Sequence, residues 1–432
     1  MDTYTERART TPIKHDVDVL VVGGGPAGVG AALAAARQGA RTHARVLLIE
    51  QSGAVGGVAT TGLMSHWTGR TEHIGIYGEI LRRAQEGEVP HLINPETLKL
   101  VLLDMLSEAG VQWQLYTFAS EAIVEDNVIK GIITESKSGR EVIMARIVVD
   151  ATGDGDIAAK AGVPYTKGRD GDGKMQPMTL MFKVAGVDTD RVVRFVGGFE
   201  DTYDTPQGDI QLLAKRHLPF PAGHLLIYRS TLPGVVTCNM TNSINVDGTK
   251  AEDLTRADHE CRRQIPAIVD FLRTYVSGFE QCYVISAASQ IGVRETRHFA
   301  GETTITEEDV LAARVFEDWV VPRVHFNFDV HNLTGSGLDE TGAQVHFSQP
   351  NHYTIPYGCF VPKQVENLYL SGRNISGTHK AHSNFRVMPI CVLMGQAVGV
   401  AAALCVQHEV TPRQVDVREV QSILRAQGVS PE

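Results

Sequence analysis

None of the six cysteines in this chain, Cys238, Cys261, Cys282, Cys359, Cys391 and Cys405, lies within three positions of another. That removes the C-x-x-C redox pair and the paired-cysteine spacing of a zinc site. Reduced thiols in a cytoplasmic protein are the expectation, with Cys359 a small buried side chain. Positive charge is also scarce: 40 lysines and arginines face 50 acidic residues, a net charge of −10 with no basic run. Neither a nucleic acid nor an anionic membrane surface is an expected partner. Residues 1–15 lack an apolar core, so they read as a flexible arm and not as a secretion signal. Segments that could pass for a membrane span are scarce. The exception, Val387 to Val406, carries no charge and has about the length that crosses a bilayer. Pro389 suits a first helical turn, Gly395 and Gly399 suit close packing, and no aromatic anchors flank the segment. A buried helix is expected there.

What is present points to a nucleotide. Val17 and Val19 to Val22 read as a buried parallel strand that breaks on Gly23-x-Gly25-x-x-Gly28 and enters an alanine-rich helix, Ala27 to Arg37. Gly23 permits a tight turn, Gly25 lets a pyrophosphate approach the backbone, and Gly28 lets helix and strand pack closely. The helix start, with Pro26 setting its first turn and N–H groups free from Ala27 onward, suits phosphates. A second strand, Arg45 to Glu50, ends in an acid placed to hold a ribose hydroxyl, with Gln51 beside it.

A second glycine loop follows, with Gly56, Gly57 and Thr60. Asn94-Pro95 opens an amphipathic helix over 94–110. Strands are expected over 112–122, 128–135 and 141–150, the last running into Gly153 and Asp154. A polar middle region contains strands near 178–184 and 224–228 and a charged helix near 250–276. From Thr354 the earlier grammar returns, with a strand ending on Gly372-Arg373 and then the apolar helix. With 432 residues the chain is too long for one simple core. The expected class is α/β: a Rossmann-like parallel sheet with an inserted antiparallel meander over 16–164 and 355–432, plus an α+β substrate or cap domain over 165–354.

These blocks together resemble FAD-dependent oxidoreductases with a glutathione-reductase-type flavin domain, distantly related to fumarate-reductase flavoproteins. Gly23 to Gly28 with Glu50; Gly56, Gly57 and Thr60; Gly153 with Asp154; Gly372-Arg373; and Arg386 to Pro389 carry the resemblance. Gly292 to Arg297 also fits it. It implies that the first glycines and Glu50 hold the ADP half of FAD, and that the Gly56-Gly57 loop passes the pyrophosphate. It further implies Gly153 near the dinucleotide, Gly372 and Arg373 near the ribityl chain, and Val387 and Met388 at the flavin N1–C2=O edge. Val58-Ala59-Thr60 offers no histidine for a covalent link, so noncovalent FAD is implied. With one dinucleotide fingerprint, a resident NAD(P)H domain is not expected.

Such a protein is expected to be a dehydrogenase or reductase passing hydride between a small organic substrate and flavin N5. The alternative is a flavin-dependent monooxygenase on the same fold. The electron partner is undefined, and a homodimer is common among similar proteins. Candidates for proton transfer are His379 and His382, in a loop before the apolar helix, with Arg386 as an anion clamp. His66 follows the second glycine loop and reads either as a residue over the flavin ring or as a core or surface histidine. Arg294, Glu295 and Arg297 form a charge-dense turn that suits either an internal ion-pair network or substrate-anion binding. His325, His331, His346 and His352 match no metal spacing; they read as cap or surface residues, and no metal is expected.

Overall fold

The computed structural model describes residues 3–40, 43–69, 71–87, 89, 91–338 and 351–431. Its first strand, β1 (Ile13–Val22), is flanked by two parallel neighbours, β2 (Val46–Ile49) and the last strand of the meander. Val19, Leu20 and Val21 are fully buried, as expected of a strand covered on both faces. The strand begins earlier than the sequence reading placed it. Ile13 and His15 pair with Val142 and Ile143, which takes residues 13–15 out of the expected arm.

The stretch read as one strand over 112–122 is two. β3 (Gln112–Gln114) lies parallel to β2, whereas β4 (Phe118–Glu125) is antiparallel to β5 (Val128–Ser136). Tyr116, at φ 55°, turns the chain between them. The meander closes on β6 (Gly139–Asp150), which forks. Its first half pairs with β5, while its end, Val148–Asp150, takes the parallel strand Leu368–Leu370. Val22, Ile49, Asp150 and Leu370 therefore end level with one another, and each opens into one of the glycine-bearing turns. In open α/β sheets, ligands bind beyond such strand ends.

One face of the sheet carries α1 (Pro26–Gly39) against the apolar helix Met388–His408. Among the described residues this second helix alone has the length and hydropathy to cross a membrane, and its apolar window is wholly buried. The two backbones touch. A Cβ on Gly395 would lie 2.0 Å from the Ala27 carbonyl oxygen, and one on Gly399 2.2 Å from that of Ala31. That rising register makes the helices parallel, so both positive N-terminal ends point toward the strand ends. At 1.5 Å per residue, the Met388 end reaches about 9 Å beyond the start of α1.

A second hydrophobic core, Leu180 to Ala288, lies apart from the first. Its four-stranded antiparallel sheet runs in the order Ile227–Arg229, Val236–Cys238, Phe182–Ala185, Tyr283–Ala287, and the helix Ala251–Tyr275 belongs to it. Ala257, Cys261, Ile265, Ile268 and Leu272 are the buried stripe of that helix. The core is narrower than the 165–354 segment expected to form a cap. Phe299, Trp319, Val321 and Tyr353 pack into the first core instead.

Candidate active site

Four glycine turns meet at the strand ends. At Gly23, φ is +101°, and a Cβ would lie 2.5 Å from the Ala151 carbonyl oxygen; on Gly28 it would lie 1.8 Å from that of Gly23. Both positions exclude a side chain for packing reasons. Gly25 differs: its φ of −69° suits any residue, and a Cβ there would meet nothing within 4 Å. The helix start is therefore open on its outer side, with room for a phosphate beside free N–H groups. Glu50 accepts hydrogen bonds from the Gly24 and Ser52 amides, both at 2.7 Å, joining the end of β2 to the first turn. Each carboxylate oxygen keeps a further lone pair.

The second turn crosses the first. The Gly56 amide donates to the Gly24 carbonyl at 2.7 Å, and a Cβ on Gly57 would come within 3.0 Å of the Gly25 Cα. Thr60 braces this loop by donating to the Val55 carbonyl at 2.7 Å, so its hydroxyl proton is spent inside the loop. Gln51 is exposed. On the other side, the Asp150 carboxylate accepts from the Thr152 and Ala158 amides and pins the Gly153 loop. Its carbonyl accepts from the Ser371 amide and the Asn374 side chain, both at 3.0 Å, which brings the Gly372 turn alongside. Asp154 pairs with Arg373 at 3.0 Å. Around this turn Ser371 Oγ, Arg373 Nη1 and Asn374 Oδ1 are buried without a partner. Open space over Gly25 and three orphaned polar atoms are what a polar dinucleotide would fill and satisfy.

The loop beyond Thr60 runs to the seam between the cores. Thr61 donates to Gln290 Oε1 at 2.6 Å, Ser65 bonds Thr237 at 3.1 Å, and His66 stacks on Tyr228 at 5.2 Å. Near this seam lies a charged cluster. Arg386 donates to the Asp329 carboxylate at 2.8 Å, His331 Nε2 lies 3.2 Å from the same carboxylate, and Arg294 donates to the Pro177 carbonyl at 2.6 Å. Burial and the charge of Arg386 push Arg294 down to about 10. Burial alone would raise Asp329, but His331, Arg386 and Arg294 hold its carboxyl well below the usual range.

The turn read as one charged unit sends its side chains three ways. Arg294 joins this cluster, and Arg297 bonds Asp156 at 2.9 Å. Glu295 is buried, with Oε1 between His298 Nε2 (2.8 Å) and His379 Nδ1 (2.6 Å) and Oε2 accepting from the Gln176 amide. Burial would raise its pKa; the two histidines reverse that and keep it ionised. His379 and His382 do not lie in a loop. They sit on a short helix, His379–Phe385, capped by Thr378, and His382 packs edge-on against His298 at 4.9 Å.

Sequence spacing suggested no metal site, yet the ligand atoms of Glu295, His298 and His379 lie within 4.8 Å of one another. They are joined directly by hydrogen bonds. His331 is buried, against the surface reading, and so is His325; His352 is exposed, and His346 lies outside the described residues. Sequence reasoning missed His224, Asn239, Gln176, His298 and Asp329. The available signal was a polar residue inside an otherwise apolar strand-like run, as in His224-Leu-Leu-Ile and Phe-Asp329-Val-His331.

The buried imidazoles have a consequence for stability. Burial and His91 push His66 to about 4. Burial, with His331 and Arg294, pushes His224 to about 3, and burial with Arg294 pushes His331 to about 4. Unfolding restores each to its ordinary value of 6.5. Each folded value is depressed, so the unfolded chain binds more protons below pH 6.5, and stability falls as pH drops from there toward 4. Urea unfolding midpoints at pH 7 and 5 check this, with uptake of about three or more protons per chain expected on unfolding near pH 5, since His382 and His91 are depressed as well. Equal midpoints would refute it.

Geometry of this kind, level parallel strand ends with glycine turns and helix N-termini converging on them, defines a dinucleotide-binding α/β protein. The chain belongs to the FAD-dependent oxidoreductase family, whose model matches residues 18–424. FAD is thus its cofactor, and it is an oxidoreductase. A geranylgeranyl bacteriochlorophyll reductase-like protein from Thermoplasma acidophilum shares the fold at 14% identity and a TM-score of 0.51, over 96% of this chain and 84% of that one. Looser likenesses include L-proline dehydrogenase from P. horikoshii (13% identity, TM-score 0.41, 96% and 99% covered). Another is p-nitrophenol 4-monooxygenase from Pseudomonas putida (14%, 0.39, 67% and 70%). No protein of curated function matches the chain.

Proposed function

We propose that the protein is a dehydrogenase or reductase for a small organic molecule, with FAD bound noncovalently across the four glycine turns. The observation that carries this reading is their convergence on the open face of Gly25. FAD supplies hydride transfer at its N5 atom. In this reading Gly23, Gly25, Pro26, Ala27 and Gly28 bind the pyrophosphate, and Glu50 and Gln51 the ribose. Gly56, Gly57, Thr60, Gly153, Asp154, Gly372 and Arg373 complete the cradle. The uncapped first turn at Val387 and Met388 presents positive dipole to negative charge at the N1–C2=O edge. Residues 16–164 and 355–432, with the part of the segment from Phe299 to Tyr353 that packs into the same core, form a glutathione-reductase-type flavin domain of distant fumarate-reductase kinship, and the second core is the substrate cap. A cytoplasmic homodimer and a separate electron partner complete the proposal.

In this reading the substrate reaches the seam between the cores, and His379, His382, Arg386, His66 and Arg294 serve it. Glu295 holds His379 by its Nδ1–H, which leaves Nε2 as the basic nitrogen and makes Glu295 a positioning residue. An anaerobic screen of metabolites for bleaching of the bound flavin tests the reaction class. A substrate that bleaches it confirms dehydrogenation; consumption of oxygen with an oxygenated product overturns it. With that substrate, Glu295→Gln is expected to slow bleaching roughly a hundredfold and to move the acid limb of its pH profile, with FAD content unchanged. An unmoved profile would refute the positioning role.

A further inference from the structure

The cluster near the seam is unbalanced in charge and in hydrogen bonding. Two guanidiniums, Arg294 and Arg386, lie close enough to affect each other, and both act on the Asp329 carboxylate, which Arg386 touches. His331 and His224 are held neutral, so they add no charge near pH 7. Arg294, Arg386 and Asp329 together sum to one positive charge among buried side chains, while Glu295, on the Gln176 backbone amide, faces His298 and His379 instead. Four buried polar atoms of this cluster have no partner: Arg386 Nε, Gln176 Nε2, His224 Nδ1 and Asn239 Oδ1. Gln176, His224 and Asn239 are 1%, 6% and 7% exposed. Each unsatisfied buried group costs about 1–3 kcal/mol, so folded proteins tolerate few of them together.

We propose that this cluster binds the carboxylate of a small organic acid, the acid being the substrate; the assignment rests on the reading above that substrate occupies the seam. A monoanion cancels the single excess charge. Its two coplanar oxygens match the guanidinium fork and can take both unused donors, Arg386 Nε–H and Gln176 Nε2–H. The open acceptors, His224 Nδ1 and Asn239 Oδ1, remain for a hydroxyl or amino group on the same molecule. A phosphate dianion would overcompensate the summed charge of Arg294, Arg386 and Asp329.

The test uses FAD-loaded protein in a carboxylate-free buffer, titrated with propionate, propionamide and inorganic phosphate. Flavin absorbance and thermal unfolding are both read. Propionate is expected to shift the visible band and raise Tm, while propionamide at equal concentration does neither. Arg294→Met is expected to weaken propionate binding at least tenfold with FAD content unchanged. Equal effects of acid and amide, binding of phosphate instead of propionate, or unaltered affinity in Arg294→Met would each overturn the proposal. If that variant does not fold, the acid-versus-amide comparison on the wild type decides. A wild-type protein that takes up no FAD would refute the flavin reading, and its thermal shifts would still decide the carboxylate site.

Discussion

Replacing Gly25 with valine is expected to leave the folded protein as stable as the wild type and to weaken FAD binding by at least about a hundredfold. The backbone there is compatible with any residue, and a new Cβ touches nothing within 4 Å. The apoprotein therefore has no reason to object; only a molecule lying over the helix start does. Gly28→Ala supplies the contrast. Its Cβ would fall 1.8 Å from the Gly23 carbonyl oxygen, so the strand–turn–helix unit itself must open. Circular dichroism and urea unfolding separate the two, and FAD titration reads the ligand. If Gly25→Val bound FAD normally, the cofactor would not pass where the glycine turns converge.

The largest loss of stability is expected from Gly399→Leu. The helix Met388–His408 meets α1 backbone to backbone, and even a methyl group on Gly399 would sit 2.2 Å from the Ala31 carbonyl oxygen and 2.8 Å from the Ala34 Cβ. Backbone atoms of a packed helix cannot rotate away as a side-chain end can. Separating the helices by the width of a leucine would open the main core, a cost at or above the usual overpacking range of about 1–3 kcal/mol. Set against a typical stability of about 5–15 kcal/mol, that is a large share of the whole. Gly87→Ala is the control: its Cβ meets nothing within 4 Å, and a change within about 0.5 kcal/mol is expected. Equal urea midpoints for the two variants would contradict the packing argument.

The parts legible in the sequence are those where local chemistry and tertiary role agree. β1, the first glycine turn and α1 announce themselves because buried apolar runs, glycines and a proline start all serve the same unit. The apolar helix is equally clear, since it is buried on every side. The helix His379–Phe385 was not legible. His-Lys-Ala-His-Ser-Asn-Phe has no apolar stripe, and its order comes from the Thr378 cap and from burial against neighbours remote in sequence. The break at Tyr116 was hidden for another reason: β3 and β4 both have strand-like composition, and only a positive φ separates them. The site was half visible. Residues adjacent to glycine motifs could be named, whereas Gln176, Asp329 and the hairpin that carries His224 and Asn239 reach the seam from three distant segments, a meeting that no local pattern encodes.

The central claim is that four glycine turns at level strand ends grip one FAD. Counting flavin released on denaturing the purified protein tests it most directly. The account predicts one FAD per chain, freed into solution with none left on the precipitated polypeptide. Protein that carries no flavin and takes up none when titrated with FAD would contradict it.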